Sequence, residues 1–322
     1  MTAVIALDVG GTGIKCALVH ADPAASSNGP GTAPTRVLHT ERHPTGADRG
    51  PTAVLDTILN IAEGLAGRAR TDGLTPTAVG IAIPGIVDET GGKAVWSANV
   101  GFRDVPLRDL ISARLGLPTA LGHDVRAGAI AESRLGAGRD ARHVLFVAIG
   151  TGIASALVID GQVFSGAHGA AGEVGHLVVR PNGPRCGCGQ RGCLEAVASA
   201  AAVGRRYAER AQTAATAAQV AAAVATGDPL ADQIWRETVA ALADGLLAAQ
   251  TLFDPEVIVV GGGLAEAGDL LLDPLRAALR ARFTFHREPR LVRAALGDEA
   301  GCLGAALLAL DTLAAGGRPT RP

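Results

Sequence analysis

The stretch Asp8-Val9-Gly10-Gly11-Thr12-Gly13-Ile14-Lys15 decides the fold of this chain of 322 residues. One apolar run, at residues 4–8, leads into its glycines, and a second apolar run, at residues 14–19, leaves them. This pattern predicts a β-hairpin with a glycine-rich turn. The pattern recurs at residues 143–159, around Gly150-Thr151-Gly152. Two strand–glycine–strand units predict two similar halves.

The segments between the hairpins alternate between helix and strand patterns. Apolar residues at helical spacing predict a helix over residues 52–70, and a second helical pattern over residues 125–134 follows a strand that ends near His123. Further predicted elements are a strand at 78–83, an Ala-rich helical stretch at 196–225, a strand at 257–260 and a last helix at about 300–314. Residues 21–50 are rich in Pro, Gly, Ser, Thr and His, which predicts a long loop or edge segment without assigned chemistry.

Composition excludes several classes of protein. Apolar residues make up 48% of the chain and charged residues 19%, as in globular proteins. A net charge of −2 without a dense Lys/Arg run gives no footprint for nucleic acid or an anionic membrane. The first ten residues lack the basic flank of a secretory signal, and the apolar stretch 301–310 is shorter than the about 20 residues of a membrane span. We therefore expect a cytoplasmic protein.

The opening motif combines groups that suit a nucleotide. Gly10 and Gly11 allow backbone N–H groups to approach phosphate oxygens. Thr12 adds a hydroxyl, Lys15 a charge that is one of only two lysines in the chain, and Asp8 a carboxylate that can hold Mg²⁺. The alternative is an ordinary hairpin whose Gly-Gly turn needs positive φ.

Two later glycine motifs fit the same ligand. Thr151 and Gly152 could cradle the other side of a triphosphate. Gly262 and Gly263, which follow a Val-rich strand, could let an adenosine lie close to the backbone. A tight strand-to-helix turn explains the second motif equally well.

A cysteine cluster is the most specific feature of the chain. His176, Cys186, Cys188 and Cys193 make a complete tetrahedral zinc set without an open position, which predicts a structural zinc site; three chance cysteines in a loop are the alternative. Carboxylates held nearby, Glu173 and Glu195, suit a polyhydroxyl ligand, or are solvated loop acids. The second nitrogen of a zinc-bound His176 could face that ligand.

Asp124 is the candidate general base. It lies where a strand meets a helical pattern, so it could accept the proton of an attacking hydroxyl, or could cap the helix. Asn99 could hydrogen-bond a ring hydroxyl, or could shape a turn.

Together these residues resemble the ROK family, which contains sugar kinases and sugar-responsive repressors. The resemblance rests on five motifs, namely D-x-G-G-T-x-x-K from Asp8, P-G-I-V-D at 84–88, Gly150-Thr151-Gly152, G-E-V-G-H at 172–176 and C-G-C-G-x-x-G-C-L-E at 186–195. It implies an α/β, two-domain, actin-like (ribonuclease-H-like) fold with ATP and a sugar in the cleft between the domains. It implies ATP-dependent phosphorylation of a hexose at the 6-hydroxyl, with Mg²⁺ and a structural Zn²⁺.

The resemblance also implies roles for individual residues. Phosphate contacts are expected at Gly10, Gly11, Thr12, Thr151 and Gly152, and adenosine contacts at Gly262 and Gly263. Sugar contacts are expected at Gly85, Asn99, His123, Asp124, Glu173, His176 and Glu195. We expect a small lobe of residues 1–122 plus the C-terminal helix at about 300–316, and a larger lobe of residues 123–299 with the zinc loop and the adenosine segment.

One departure from the family pattern concerns the sugar. Many kinases of the family place Asn immediately before the catalytic Asp, whereas this chain has His123, followed by Val125-Arg126. Because that Asn touches the sugar, we expect N-acetylglucosamine or glucose, with N-acetylmannosamine behind them, and we favour an N-acetylhexosamine. His123 either reshapes the sugar contact or turns away from it.

Two other functions are weighed against a kinase. A repressor of this family carries a winged-helix domain before the first phosphate motif, and we expect none because the first strand begins near Met1. A catalytically idle sugar-binding protein would have no use for Asp8, Thr12, Lys15 and Asp124 together. We expect a homo-oligomer, a dimer or a tetramer, with no nucleic-acid or membrane partner.

Overall fold

The computed structural model describes residues 1–20 and 36–316, so the predicted loop at residues 21–35 lies outside the described residues. These residues form two compact units. Unit 1 comprises Met1–Leu135, Ser165–Ala170 and the C-terminal segment from Asp298, and unit 2 comprises Gly136–Phe164 and Ala171–Gly297. Of the described helices, none is both long and apolar enough to cross a bilayer.

Unit 1 contains a five-stranded sheet and a separate, small three-stranded sheet. Its strands are β1 (Thr2–Val9), β2 (Gly13–His20), β3 (Val37–Pro44), β4 (Thr75–Ile83), β5 (Ile86–Asp88), β6 (Lys93–Ser97), β7 (Phe102–Val105) and β8 (Thr119–His123). Its helices are α1 (Pro51–Thr71), α2 (Leu107–Leu115), α3 (Asp124–Arg134) and α9 (Ala300–Gly316). The large sheet has the order β3-β2-β1-β4-β8.

The predicted hairpin lies at the centre of this sheet. β1 and β2 pair antiparallel with Asp8 opposite Lys15, while β1–β4 and β4–β8 pair parallel. The stretch at residues 21–50 is therefore an edge segment in part, because its residues 37–44 form β3 against β2. Alternate residues of β1 face opposite sides of the sheet. Ile5 and Leu7 join one apolar cluster with α1, and Val4 and Ala6 join another with α9.

Small residues let α9 pack closely against the sheet and against α3. A Cβ at Gly80 would lie 1.7 Å from the carbonyl oxygen of Ala305, and a Cβ at Gly304 would lie 2.0 Å from that of Ala127. Both glycines are therefore required by packing. This packing places α3 in unit 1, so the unit extends to Leu135 and differs from the predicted boundary at residue 122.

Unit 2 repeats the sheet of unit 1. Its strands are β9 (His143–Ile149), β10 (Ile153–Ile159), β11 (Gln162–Phe164), β12 (Val257–Gly261) and β13 (Arg290–Arg293). Its helices are α4 (Leu194–Ala198), α5 (Ala200–Ala211), α6 (Ala217–Ala225), α7 (Pro229–Phe253) and α8 (Asp269–Arg280). The order β11-β10-β9-β12-β13 has the same antiparallel and parallel pairings as the order in unit 1. Two similar halves are thereby confirmed.

The Ala-rich stretch at residues 196–225 is helical but not continuous. Ser199 ends α4 and caps α5, since its side chain accepts a hydrogen bond from the Ala202 N–H. Gln212 ends α5 in the left-handed conformation, with φ of 54°. Thr216 and Gln219 form a capping box at the start of α6. Alanine favours helix everywhere in this stretch, and the caps decide where each helix begins and ends.

Candidate active site

The turn between β1 and β2 is fixed by hydrogen bonds within unit 1. The Gly10 N–H donates to the Gly13 carbonyl at 2.8 Å, which closes the turn. Thr45, fully buried after β3, donates its hydroxyl to the Gly10 carbonyl at 2.6 Å and its N–H to the Thr12 carbonyl at 3.2 Å. Thr12 itself is exposed. The Thr12 residue is therefore exposed on a turn whose backbone these hydrogen bonds hold in place.

The glycines of this turn serve close packing rather than unusual dihedral angles. None of Gly10, Gly11 and Gly13 has a positive φ, so the alternative of an ordinary hairpin whose Gly-Gly turn needs positive φ does not describe this turn. A Cβ at Gly11 would lie 3.2 Å from the Cβ of Asn99. The absence of a side chain at Gly11 is what brings the exposed Asn99, in the turn between β6 and β7, against the hairpin.

Asp8, the penultimate residue of β1, is a carboxylate in an apolar setting. Burial raises its pKa from 3.8 to about 6; the Lys15 ammonium opposes this rise, and the carboxylates of Asp124 and Asp298 add to it. The first turn of α9 lies against Asp8, because a Cβ at Gly301 would be 2.4 Å from its Oδ2. Because the carboxylates of Asp124 and Asp298 both raise the pKa of Asp8, a divalent cation beside Asp8 would relieve this repulsion.

Lys15 has an acidic partner within unit 1. Its Nζ donates to the Asp298 side chain and, at 3.1 Å, to the Asp298 carbonyl, and it lies 4.0 Å from Asp8 Oδ2. Arg42 on β3 contacts the other oxygen of Asp298 at 2.7 Å. Hydrogen bonds from Lys15 and Arg42 hold the pKa of Asp298 below its usual range, although burial opposes this.

Asp124 begins α3, directly after β8, as the sequence predicts. Its Oδ1 accepts a hydrogen bond from the Val125 N–H at 2.7 Å and lies 3.3 Å from His123 Nε2. The helix cap is His123 rather than Asp124, so the capping alternative does not describe this carboxylate. Because both contacts are made to one oxygen, the other oxygen is left to receive a proton.

His123 is buried and faces its neighbour, not the solvent. Its backbone N–H donates to Glu89 Oε1 at 3.1 Å. The same oxygen accepts from Arg126 Nε at 2.8 Å, and Arg126 Nη1 donates to the Gly169 carbonyl at 2.8 Å. The Glu89–Arg126 ion pair therefore holds the backbone that carries the candidate base.

Among the expected sugar-site residues of unit 1, Gly85 alone has a positive φ. Its φ is 106°, and a Cβ would lie 2.3 Å from the Trp96 carbonyl. Both facts favour glycine alone at this position. The short strands β5 and β6 consequently approach each other closely just after β4.

In unit 2, Glu195 supports the second glycine turn. The Gly150 N–H donates to the Gly152 carbonyl at 2.9 Å, and Glu195 Oε2 accepts from the Ile153 N–H at 2.9 Å. A Cβ at Gly152 would lie 2.4 Å from this oxygen. Glu195 is thus a structural neighbour of the turn, while Thr151 is exposed. The solvated-acid alternative does not describe Glu195.

The predicted metal ligands come together in unit 2. One donor atom each from His176, Cys186, Cys188 and Cys193 lies within 4.8 Å of the other three. His176 Nδ1 is 3.6 Å from Cys186 Sγ, and Cys188 Sγ is 3.6 Å from Cys193 Sγ. Three thiols and an imidazole at this spacing fit a tetrahedral zinc ion.

The cluster is linked to both predicted sugar-site acids. Cys186 Sγ lies 3.9 Å from Glu195 Oε1. His176 directs its other nitrogen, Nε2, to Glu173 Oε2 at 3.8 Å, and Glu173 is half-exposed. The His176 imidazole therefore lies between the Cys186 thiol, near its Nδ1, and the exposed Glu173 carboxylate, near its Nε2.

Gly262 and Gly263 follow β12 as the sequence predicts. Gly262 has a φ of 80°, and its Cβ would lie 2.6 Å from the Ile149 carbonyl. The tight-turn explanation therefore accounts for Gly262. No atom lies within 4 Å of a Cβ built at Gly263, so the start of the 3-10 helix Gly263–Ala267 is open.

Three residues of this site were not found from the sequence. They are Thr45, Glu89 and Asp298. Each is a common residue type outside any motif, and each acts on a segment far away in the chain. The sequence offers only indirect signals for these residues, because an acid just before a last helix and a Thr within a predicted edge segment are ordinary features.

Comparison with known proteins places the chain among sugar kinases. A model of the ROK family matches residues 4–312. The chain is 32% identical to the glucokinase of Streptomyces coelicolor over 97% of its own length and 98% of that enzyme, and 31% identical to the N-acetylmannosamine kinase of Citrobacter koseri over 95% and 98%. A crystal structure of a ROK family glucokinase from Streptomyces griseus, in complex with glucose and AMPPNP, matches with a TM-score of 0.79 and 31% identity over 96% and 99% of the two chains.

The two repeated units have the actin-like, two-domain fold, and the class of protein is an ATP-dependent sugar kinase. The chain belongs to the ROK family.

The raised pKa of Asp8 makes a prediction about stability and pH. Between about pH 4 and 6 the unfolded chain loses this proton while the folded chain keeps it, so wild-type stability falls as the pH rises through this window. The difference between 3.8 and about 6 corresponds to about 3 kcal/mol. We expect Asp8→Asn to remove this loss, so that the variant is more stable than wild type at pH 7 and the difference shrinks towards pH 4.

Urea unfolding in magnesium-free buffer at several pH values measures this difference. Asp56→Asn, which alters an exposed carboxylate on α1, is the matched control and should show no such pH-dependent gain. An Asp8→Asn gain that is equal at pH 4 and pH 7 would contradict the raised pKa.

Proposed function

We propose that the chain transfers the γ-phosphoryl group of ATP to the 6-hydroxyl of a hexose, with Asp124 as the general base. The observation that carries this proposal is the placement of Asp124 in unit 1. One of its oxygens is engaged by the Val125 N–H and His123, and its charge acts on Asp8 at the end of the phosphate hairpin. A carboxylate so held is oriented, and is close to a group suited to Mg²⁺.

The proposed reaction is an in-line displacement at phosphorus. The sugar O6 attacks the γ-phosphorus as its proton passes to the free oxygen of Asp124, and the bond between the γ-phosphorus and the β–γ bridging oxygen breaks. The products are the hexose 6-phosphate and ADP. In the tautomer with its proton on Nε2, His123 donates to Asp124 Oδ1 and keeps the other oxygen aimed at the acceptor.

The glycine turns are the segments proposed to bind the phosphates of ATP. In unit 1 the turn held by Thr45 supplies Gly10, Gly11 and Thr12, with Asp8 as the residue that would hold Mg²⁺ and Lys15 as a positive charge. In unit 2 the candidates are Thr151 and Gly152, with Gly262 and Gly263 for adenosine. When bound, Mg²⁺ neutralises charge on the phosphates. Because Lys15 already contacts Asp298, its charge reaches ATP only if that contact rearranges.

We propose that residues of each unit contact the sugar. From unit 1 we propose Gly85, Asn99, His123 and Asp124, and from unit 2 Glu173, His176 and Glu195. Glucose and N-acetylglucosamine are the proposed substrates. The glucokinase relative supports glucose, and the replacement of Asn by His at position 123 supports a modified pocket. N-acetylmannosamine is the alternative substrate, because the relative from Citrobacter koseri is an N-acetylmannosamine kinase.

We propose one structural Zn²⁺ held by His176, Cys186, Cys188 and Cys193. Four donors without an open position give the metal no place for a substrate, so its role is to shape the loop that carries Glu173 and Glu195. The imidazole couples metal and ligand, since a zinc-bound Nδ1 fixes the direction of Nε2 toward Glu173.

Replacement of Asp124 tests the base. Asp124→Asn keeps the shape of the side chain but cannot accept the proton, so we expect kcat to fall by about 10²-fold to 10⁴-fold while sugar affinity is largely retained. Sugar-dependent ADP release measures turnover, and calorimetry measures binding. Asp109→Asn, an exposed acid on α2, is the control. Turnover within a few-fold of wild type would exclude Asp124 as the base, and wild-type protein that is idle on all common hexoses and N-acetylhexosamines would indicate a sugar-binding protein.

Replacement of His123 tests sugar choice. His123→Asn substitutes an amide for a bulkier imidazole beside the base, so the ratio of kcat/KM for glucose to that for N-acetylglucosamine should change by up to the about 1–3 kcal/mol that pocket contacts supply. His143→Asn, a replacement at a partly exposed histidine of unit 2, should leave the ratio unchanged. If kcat/KM for both sugars changes by the same factor, His123 orients the base without selecting the substrate.

Removal of one thiol tests the zinc site. Cys188→Ser should lower the zinc content of purified protein below one per chain, lower its stability and weaken sugar binding, with a smaller effect on nucleotide affinity. Elemental analysis after a chelator wash measures the metal. Cys302→Ala, which removes a buried thiol of α9, should retain the zinc. Fully active wild-type protein that contains no metal would refute the structural role.

A further inference from the structure

A second group of metal-ligand side chains lies on the edge strand of unit 1. His39, Glu41 and His43 occupy alternate positions of β3, so their side chains emerge on the same face of the sheet. Cys16 on β2 pairs directly with Glu41, which places its thiol on that face as well. These four side chains belong neither to the groups proposed to bind phosphate nor to those proposed to bind sugar.

Glu41 is held between the two histidines. Its Oε1 lies 2.6 Å from His39 Nε2, and its Oε2 lies 2.9 Å from His43 Nε2. Donor atoms of Cys16, Glu41 and His43 all lie within 4.8 Å of one another. Cys16 is buried beneath the group, while the exposed fractions of the His39, Glu41 and His43 side chains are 21%, 33% and 37%. An ion could therefore enter from the solvent and reach a buried sulfur.

We propose that Cys16, Glu41 and His43 bind a divalent transition-metal cation, with zinc as the best match, and that His39, which contacts Glu41 but lies outside this group of three, holds the carboxylate in place. A thiolate, an imidazole and a carboxylate are all zinc ligands, whereas Mg²⁺ and Ca²⁺ take oxygen ligands. Two ligands about 2.0 Å from a tetrahedral ion lie about 3.3 Å apart. The distance of 2.9 Å between His43 Nε2 and Glu41 Oε2 is shorter than this by about 0.4 Å, so these two side chains need to separate by only that amount to admit the ion.

A metal at this position would join two strands at the edge of the sheet. Two ligands come from β3 and one from β2, so coordination holds the edge strand against its neighbour. β3 ends at Pro44, and the next residue, Thr45, fixes the turn at Gly10 and Thr12. Binding should therefore stabilise unit 1 and restrain the phosphate turn. The simpler role for polar side chains on an edge strand is to oppose pairing with other chains, which requires no metal.

Metal titration distinguishes the two roles. Purified protein that retains its tightly held metal is titrated with Zn²⁺ by calorimetry, and with Co²⁺ by visible absorption. We expect one added equivalent per chain, a cobalt–thiolate band, and a higher melting temperature. Glu41→Gln and His43→Ala should weaken this binding by at least about tenfold, since even residues that only support metal ligands are worth 10-fold to 100-fold in affinity.

Three further variants make the test specific. Cys16→Ala should abolish the cobalt–thiolate band, and Cys188→Ser should leave the band intact because it alters the separate cluster in unit 2. His143→Ala is the matched control, as it removes the histidine of another His–Glu pair, 3.2 Å from Glu256, that belongs to neither metal-ligand group found among the described residues. Wild-type protein without an added equivalent, or binding that is equal in wild type, Glu41→Gln and His43→Ala, would overturn the proposal.

Discussion

The Asp8 carboxylate lies at the end of a central strand whose residues 3–7 are completely buried. An ionised group in that place needs partners, and unit 1 is arranged to supply them. β2 returns from the glycine turn to set Lys15 opposite Asp8, and α9 begins against the same carboxylate. Even so, the effect of burial outweighs that of the Lys15 charge and raises the pKa of Asp8 to about 6. The negative charge that Lys15 leaves incompletely neutralised makes this end of the sheet suited to a divalent cation.

Backbone rigidity around the candidate base has a comparable origin. Glu89 accepts hydrogen bonds from the His123 N–H and from Arg126, and Arg126 donates to the Gly169 carbonyl. A buried guanidinium needs a charge partner in such a place, and Glu89 and the Gly169 carbonyl accept from Arg126 Nε and Nη1. The pair therefore favours one conformation of the β8–α3 junction, which is where Asp124 and His123 lie. Orientation of a base in this way contributes to catalysis without contact with the substrate.

Unit 2 uses the same sheet topology but stabilises its turn differently. In unit 1 a buried threonine fixes the hairpin turn, whereas in unit 2 the Glu195 carboxylate accepts from the Ile153 N–H and also lies near Cys186. Glu195 thereby connects the glycine turn to the cysteine cluster. A small loop with few apolar residues gains little from hydrophobic burial, so coordination of a metal is a suitable means of ordering it.

Much of this protein was determined by local sequence. Glycine-rich turns between apolar runs predicted both hairpins, and the spacing of His176, Cys186, Cys188 and Cys193 predicted ligands that the structure brings within 4.8 Å of one another. Local rules suffice there because hairpins and short metal loops are closed by residues near one another in the chain. The boundary of unit 1 and the supports at Thr45, Glu89 and Asp298 were decided by tertiary structure. The unit boundary and the three supports depend on groups that meet only after folding, as when α3 packs on α9 or Thr45 reaches the turn at Gly10, 35 residues away in the chain. No pattern within a single segment encodes such a meeting, because the partner is set by the packing of the whole unit.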